Sequence, residues 1–210
     1  NNRNMEKLKL TEEWDKTFPK SDKVDHSKVT FVNRFGITLA ADLYVPKIAV
    51  ADKFPAIAVS GPFGAVKEQS SGLYAQTLAE RGFLTIAFDP SFTGESSGQP
   101  RSVASPDINT EDFSAAVDYL ATRPDVDAER IGILGICGWG GFAINAAAND
   151  TRIKATVAST MYDISRANAN GYFDAADNAD ARYRMRRELN AQRTKDYRTG
   201  TYPCTTMNPE

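Results

Sequence analysis

Cys137 is the residue of this sequence best placed to act as a nucleophile. It lies in the string Gly135-Ile136-Cys137-Gly138-Trp139-Gly140-Gly141, between a buried-strand pattern and an alanine-rich helix pattern. A sharp strand-to-helix turn lifts its central side chain above the sheet, and small neighbours permit the strained backbone that the turn needs. The backbone N–H of Gly138 would then face a developing oxyanion. An isolated buried cysteine is usually only a small apolar residue, but this placement favours a nucleophile.

Trp139 departs from the usual pattern of such a turn, which has a small residue two positions after the nucleophile. Counting one inserted residue before Gly140-Gly141 reconciles the spacing. Trp139 therefore counts against a standard turn, and the spacing leaves the geometry of this loop open.

A second glycine-rich loop, Ser60 to Gln69, directly follows another buried-strand pattern. Such a loop can offer a backbone N–H to a reacting carbonyl oxygen, and Phe63 is the expected donor by position. An ordinary tight turn is the alternative for this loop alone. The carboxyl ends of neighbouring parallel strands meet at one edge of a sheet, so the loop and Cys137 are expected to converge.

Aromatic residues after three strands are expected to form the walls of a substrate pocket. They are Phe63, Trp139 and Tyr162, and they agree with an apolar or sugar-like ligand.

The acid and base that should accompany a nucleophile are not evident. His26, the only histidine, precedes the predicted sheet and is expected to be a surface residue. Asp163 and Asp89 each follow a strand and are candidate acids, and the alternative for both is loop capping.

The remaining pattern predicts an α/β fold with a doubly wound, mostly parallel sheet. An antiparallel hairpin, Val29 to Val45, turns at Asn33–Gly36. It is followed by four buried strands that alternate with helices: Ala56–Val59, Phe83–Phe88, Ile131–Ile136 and Ile153–Ala158. Thr110 is expected to cap the helix before the third of these strands.

Composition excludes several classes of function. The 210 residues carry 25 basic and 27 acidic groups, a formal net charge of −2, so neither nucleic acid nor a membrane surface is an expected partner. The only two cysteines exclude a disulfide framework and a cysteine-rich zinc site. We expect no metal or cofactor. No apolar run is long enough to span a bilayer, and the sequence fits a cytoplasmic protein or a mature exported form.

Three strings in order resemble bacterial α/β-hydrolases related to dienelactone hydrolase and acetyl xylan esterase. They are Gly61–Gln69, Phe88–Gly98 and Gly135–Gly141. The resemblance implies an esterase in which Cys137 attacks an ester carbonyl while the N–H groups of Phe63 and Gly138 hold the oxyanion. In such relatives a histidine often stands at the position of Gly61, and the acid and base follow the nucleophile on later strands.

The later strands are not apparent in this sequence, so the fold is expected to be incomplete at its C-terminal side. The expected organisation is an N-terminal extension (1–28), a hydrolase core (29–161) and a helical cap or insertion (162–210). An uncovered apolar sheet edge would then be covered by another copy of the chain or by a complementing C-terminal fragment. The alternative functions are a binding or assembly protein that keeps the fold without the triad, and a redox-sensitive thiol at Cys137.

Overall fold

The computed structural model describes residues 5–48 and 52–204, which form two compact units divided between Tyr162 and Asp163. No helix of the described residues has both the length and the apolar character needed to cross a membrane.

The first unit is built on a sheet whose six described strands run in the order β1-β2-β4-β3-β5-β6. β1 and β2 form an antiparallel hairpin, and β2 pairs antiparallel with β4. The remaining pairs are parallel. The predicted fold class is therefore confirmed. The strands are β1 Val24–Val32, β2 Thr38–Pro46, β3 Phe54–Ser60, β4 Leu84–Phe88, β5 Val126–Ile136 and β6 Ile153–Ser159.

Helices cover both faces of this sheet, as the nearly continuous apolar character of β3 and β4 requires. α1 (Ser70–Ala79) packs on one face, together with the N-terminal segment that carries Trp14 and Phe18. α2 (Pro106–Ala121) and α3 (Gly138–Asn149) pack on the other face, where the larger apolar core lies.

The second unit contains α4 (Ile164–Asn170), a 3-10 turn (Tyr172–Asp174) and α5 (Ala179–Thr199). None of their residues is buried. Asn178 caps α5, since its side chain accepts a hydrogen bond from the N–H of Ala181.

Two elements begin earlier than the sequence predicts. β1 begins at Val24, within the segment assigned to an N-terminal extension, because polar residues of the strand find buried ionic partners instead of facing water. α2 begins at Pro106 and is capped by Ser105, so the expected cap at Thr110 is wrong. Proline at the first helical position, directly after a serine, is a stronger start signal than threonine inside the helix.

Asp112 joins three separate parts of the first unit through a buried carboxylate. Its oxygens accept hydrogen bonds from the N–H and hydroxyl of Ser91 at 2.8 and 2.7 Å. The side-chain amides of Asn33 in the hairpin turn and Asn109 in α2 donate at 2.9 and 3.1 Å. These neutral donors, together with its complete burial, make Asp112 a fixed link between the hairpin, the loop after β4 and α2.

Replacing Asp112 with alanine should lower the free energy of unfolding by roughly 3 kcal/mol, because several buried donors lose their acceptor. Chemical denaturation measures the change. Asp107→Ala, at an exposed position in the first turn of the same helix, should cost about 1 kcal/mol or less. Equal losses in the two variants would contradict the role assigned to Asp112.

Candidate functional site

Cys137 occupies a sharp turn between β5 and α3. Its backbone has φ 58° and ψ −125°, a left-handed conformation that costs a non-glycine residue about 1–3 kcal/mol. Its N–H donates to the carbonyl of Ser159 at 2.8 Å, and its carbonyl accepts from the N–H of Gly140 at 3.0 Å. The half-buried thiol therefore stands at a strained strand-to-helix junction, as the sequence predicts.

Three glycines let neighbouring backbones approach this turn. A Cβ at Gly135 would lie 2.1 Å from the carbonyl oxygen of Trp139, and one at Gly61 would lie 2.4 Å from that of Ile136. A Cβ at Gly140 would lie 2.9 Å from the Cβ of Met161. At Gly61, φ is +102° and a side chain has no room.

Two backbone N–H groups are available next to this turn. Among the described residues, none accepts a hydrogen bond from the N–H of Gly138 or of Phe63. Gly138 is the first residue of α3, where N–H groups lack helical acceptors and the helix dipole favours negative charge. Their assignment to an oxyanion hole stays a prediction.

Trp139 fits this turn without distorting it. Trp139 is the second residue of α3, which runs from Gly138 to Asn149. The indole ring is 3% exposed and packs edge-on against Phe63 and Phe142, with ring centroids 4.6 and 5.1 Å apart. A large side chain is tolerated because it points into the core, while Gly140 makes the close approach to the chain after β6.

The three predicted pocket residues divide into two places. Phe63 and Trp139 line a cavity of about 270 Å³, together with residues 92–94 and 101–104. Tyr162 instead lies at the thiol, with its hydroxyl 3.6 Å from the sulfur of Cys137. Neither Cys137 nor Tyr162 is among the residues that line the cavity.

Asp89 belongs to a buried lysine–carboxylate network, consisting of Asp15, Lys28, Lys67, Glu68, Asp89 and Glu95. The Nζ of Lys67 contacts Asp89 at 2.9 Å and Glu95 at 2.7 Å. Asp89 also accepts hydrogen bonds from the backbone N–H groups of Lys67 and Glu95 at 2.8 and 2.9 Å. Its oxygens therefore join the loop that carries Phe63 to the loop after β4. These contacts agree with the loop-capping role that was the alternative for Asp89.

The charges of this network stabilise one another. Burial alone would lower the pKa of Lys67, but the carboxylates of Asp89, Glu68 and Glu95 outweigh it and raise this pKa above its ordinary value. Burial would raise the pKa of Glu95, but hydrogen bonds from Lys28 and Lys67 lower it to about 2. Sequence reasoning assigned no role to Lys67 or Glu95, because their partners come from distant parts of the chain.

Asp163, the second candidate acid, caps α4. Its carboxylate accepts hydrogen bonds from the N–H of Arg166 at 2.9 Å and from the hydroxyl of Ser165. The hydrogen bond from Ser165 is the main cause of its lowered pKa. Asp163 is exposed and has the contacts of the capping alternative.

His26 is not the surface residue that the sequence predicts. It lies within β1, its side chain is 13% exposed, and its Nε2 is 2.7 Å from the buried carboxylate of Asp42. Lys16 contacts the same carboxylate at 2.9 Å. β1 and β5 are separated by three strands, which places His26 about 19 Å from the turn at Cys137 at ~4.8 Å per strand. His26 is therefore too distant to act as a base for Cys137.

A model of the X-Pro dipeptidyl-peptidase (S15) family matches residues 36–201. The chain is 66% identical over 194 residues to the uncharacterized protein PA2218 of Pseudomonas aeruginosa, covering 92% of this chain and 52% of that protein. The crystal structure of PA2218 matches with a TM-score of 0.91 and 65% identity, covering 93% of this chain and 61% of that chain.

Two further proteins extend the comparison. YcjY of Escherichia coli, also uncharacterized, is 42% identical over 187 residues, covering 88% of this chain and 61% of that protein. Acetyl xylan esterase 1 of Thermoanaerobacterium matches in fold, with a TM-score of 0.60 and 18% identity over 81% of this chain and 59% of that chain. The chain spans about half to three fifths of the length of the curated relatives PA2218 and YcjY. The resemblance to α/β-hydrolases is confirmed.

Glu95 should make the stability of the protein depend on acid. Its folded pKa of about 2 lies below the ordinary glutamate value of 4.5, so its contribution is complete above pH 4.5 and is lost as the pH falls toward 2. Denaturation midpoints measured between pH 6 and 2 should therefore fall less steeply for Glu95→Gln than for the unchanged protein.

The matched control is Glu129→Gln, because Glu129 is 83% exposed and pairs only with Lys154 at the surface. Its pH profile should follow that of the unchanged protein. If Glu95→Gln and Glu129→Gln gave the same profile, the contribution assigned to Glu95 would be wrong.

Proposed function

Because the chain belongs to the X-Pro dipeptidyl-peptidase (S15) family, we propose that it is a hydrolase of carboxylic esters with Cys137 as its nucleophile. The observation that carries the proposal is the left-handed backbone of Cys137 at the start of α3. Strain at a non-glycine residue persists only where the surroundings impose it, and such residues concentrate at functional sites.

The proposed reaction proceeds in two steps. The thiolate of Cys137 attacks the ester carbonyl carbon, and the carbonyl oxygen gains negative charge opposite the N–H groups of Gly138 and Phe63. The carbon–oxygen bond to the alcohol then breaks, and the alcohol leaves with a proton. Water hydrolyses the resulting thioester, which releases the carboxylic acid and restores the thiol.

A general base for the second step is not among the residues near Cys137. His26 is engaged with Asp42 on a distant strand, while Asp89 is committed to the lysine–carboxylate network and Asp163 to the cap of α4. We therefore propose that the base comes from a second polypeptide, which is either a complementing C-terminal segment or another copy of the chain. β6, at the edge of the described sheet, has its Val157 side chain 52% exposed and could receive such a partner.

The competing function is a binding or assembly protein that keeps the fold but performs no chemistry. It gains support from the distance between His26 and Cys137. The two functions differ in one observable, because only a nucleophile at Cys137 becomes acylated by an ester.

Incubation with p-nitrophenyl butyrate should acylate Cys137 and release about one equivalent of p-nitrophenol per chain, because attack requires the thiolate and backbone donors but the slow second step requires a base. Intact-mass and peptide-mass spectrometry measure the acyl group, and absorbance measures the phenol. Cys137→Ala should abolish both signals while changing the free energy of unfolding by about 1 kcal/mol or less.

The second cysteine provides an internal control. Cys204 is exposed and lies outside any strand-to-helix turn, so it reports the reactivity of an ordinary thiol. Acylation of Cys204 as fast as Cys137, or unchanged phenol release in Cys137→Ala, would favour the binding protein. Cleavage of an X-Pro p-nitroanilide without ester acylation would indicate that the substrates are X-Pro amides and not esters.

A further inference from the structure

Tyr162 contacts the proposed reacting atom. Its hydroxyl oxygen is 3.6 Å from the sulfur of Cys137, within the range of a hydrogen bond to sulfur. The residue is half-buried, and only Thr160 and Met161 separate it from the end of β6. A phenol is the only titratable side chain of the described residues with a hydrogen bond to this sulfur.

The backbone that leads to Tyr162 is held close to the turn at Cys137. The N–H of Cys137 donates to the carbonyl of Ser159 at 2.8 Å, which ties the end of β6 to the turn. Thr160 has φ 50°, a left-handed conformation that redirects the chain, and Met161 packs against Gly140 so closely that a Cβ there would lie 2.9 Å away. The contact between Tyr162 and Cys137 is therefore built into the fold and does not depend on a mobile side chain alone.

We propose that Tyr162 is a catalytic residue whose hydroxyl donates a hydrogen bond to the thiolate of Cys137 and so maintains the reactive form of the sulfur. This inference rests on the proposed function of Cys137 as nucleophile. In the neutral state the S–H can donate to the phenol oxygen. When the thiol releases its proton to solvent, the phenol O–H turns to donate to the sulfur anion and keeps its own proton.

The relative strengths of the two hydrogen bonds decide whether Tyr162 favours the thiol or the thiolate. A hydrogen bond to an ionised partner is about twice as strong as one between neutral groups, and a thiol is only a weak donor. The phenol therefore stabilises the thiolate more than the thiol. The start of α3 acts in the same direction, because its unpaired N–H groups favour negative charge.

The test is the rate of alkylation of Cys137 by iodoacetamide, measured between pH 6 and 10 in a Cys204→Ala background that leaves a single thiol. Tyr162→Phe keeps the ring and removes only the hydroxyl. Its rate at pH 7 should be about fivefold lower, which is within the strength of one charge-assisted hydrogen bond. The two rates should converge at the highest pH, where both thiols are ionised.

Convergence separates the proposed role from a structural one. A change in access to the sulfur would alter the rate by the same factor at every pH, and that result would overturn the proposal. An unchanged or faster rate at pH 7 would also overturn it. The thermal midpoint of Tyr162→Phe, measured in parallel, verifies that alkylation is compared between folded proteins.

Tyr74→Phe is the matched control. Its hydroxyl lies 3.5 Å from the hydroxyl of Ser159 in the same region but makes no hydrogen bond to the sulfur, so its alkylation profile should equal that of the background protein. Alkylation requires no ester hydrolysis, so the outcome is independent of the acylation test. If Cys137 proves not to be acylated by an ester but Tyr162→Phe still lowers the alkylation rate, the proposed function fails and the effect of Tyr162 on the thiol remains.

Discussion

The close packing of backbone around Cys137 is the constraint on which the candidate site depends. The turn from β5 into α3 leaves Cys137 with a positive φ, and this strain is sustained because the flanking chains have no freedom to relax. The loop after β3 approaches at Gly61, and the chain after β6 approaches at Gly140. A Cβ at either glycine would meet a neighbouring residue at less than 3 Å. The same packing that strains the turn thus brings three loops together at the carboxyl edge of the sheet.

The lysine–carboxylate network holds the loop that carries Phe63 against the loop after β4. A lysine with a fully buried side chain is expensive to desolvate, and the effective cost is several kcal/mol for each buried ion. Lys67 offsets this cost with three carboxylate partners. Asp89 receives two backbone N–H donors, but burial still raises the pKa of its carboxyl group. Such a network contributes modestly to net stability. Its geometric effect is larger, because it fixes two loops from different parts of the sequence relative to each other.

Sequence periodicity predicts the strands because the apolar residues that form each pattern are the residues that pack in the core. It failed where the partner of a residue lies far away in the sequence. The start of β1 was missed because His26 and Lys28 look like surface residues until Asp42 and Glu95 are placed beside them.

The direction in which a side chain points could not be predicted from the sequence either. Trp139 counts against a standard turn by spacing, because spacing alone cannot tell that its ring points toward Phe63 and Phe142. Cys137 could be identified because its signal, a strand followed by a glycine-rich helix start, is local. Tyr162 was expected near the site, but its contact with the sulfur depends on the path of the chain after β6.

The two steps of the proposed reaction place different demands on the described residues. An ordinary cysteine is a few per cent ionised at neutral pH and is intrinsically a strong nucleophile. Attack on an ester is the step that the proposed function assigns to Cys137. Hydrolysis of the thioester needs an activated water, and a positioned general base supplies typically ~10²–10⁴-fold. Neither the dipole nor a phenol that retains its proton provides that factor. Under the proposed function, a base brought to the sulfur is therefore what would convert a single acylation into turnover.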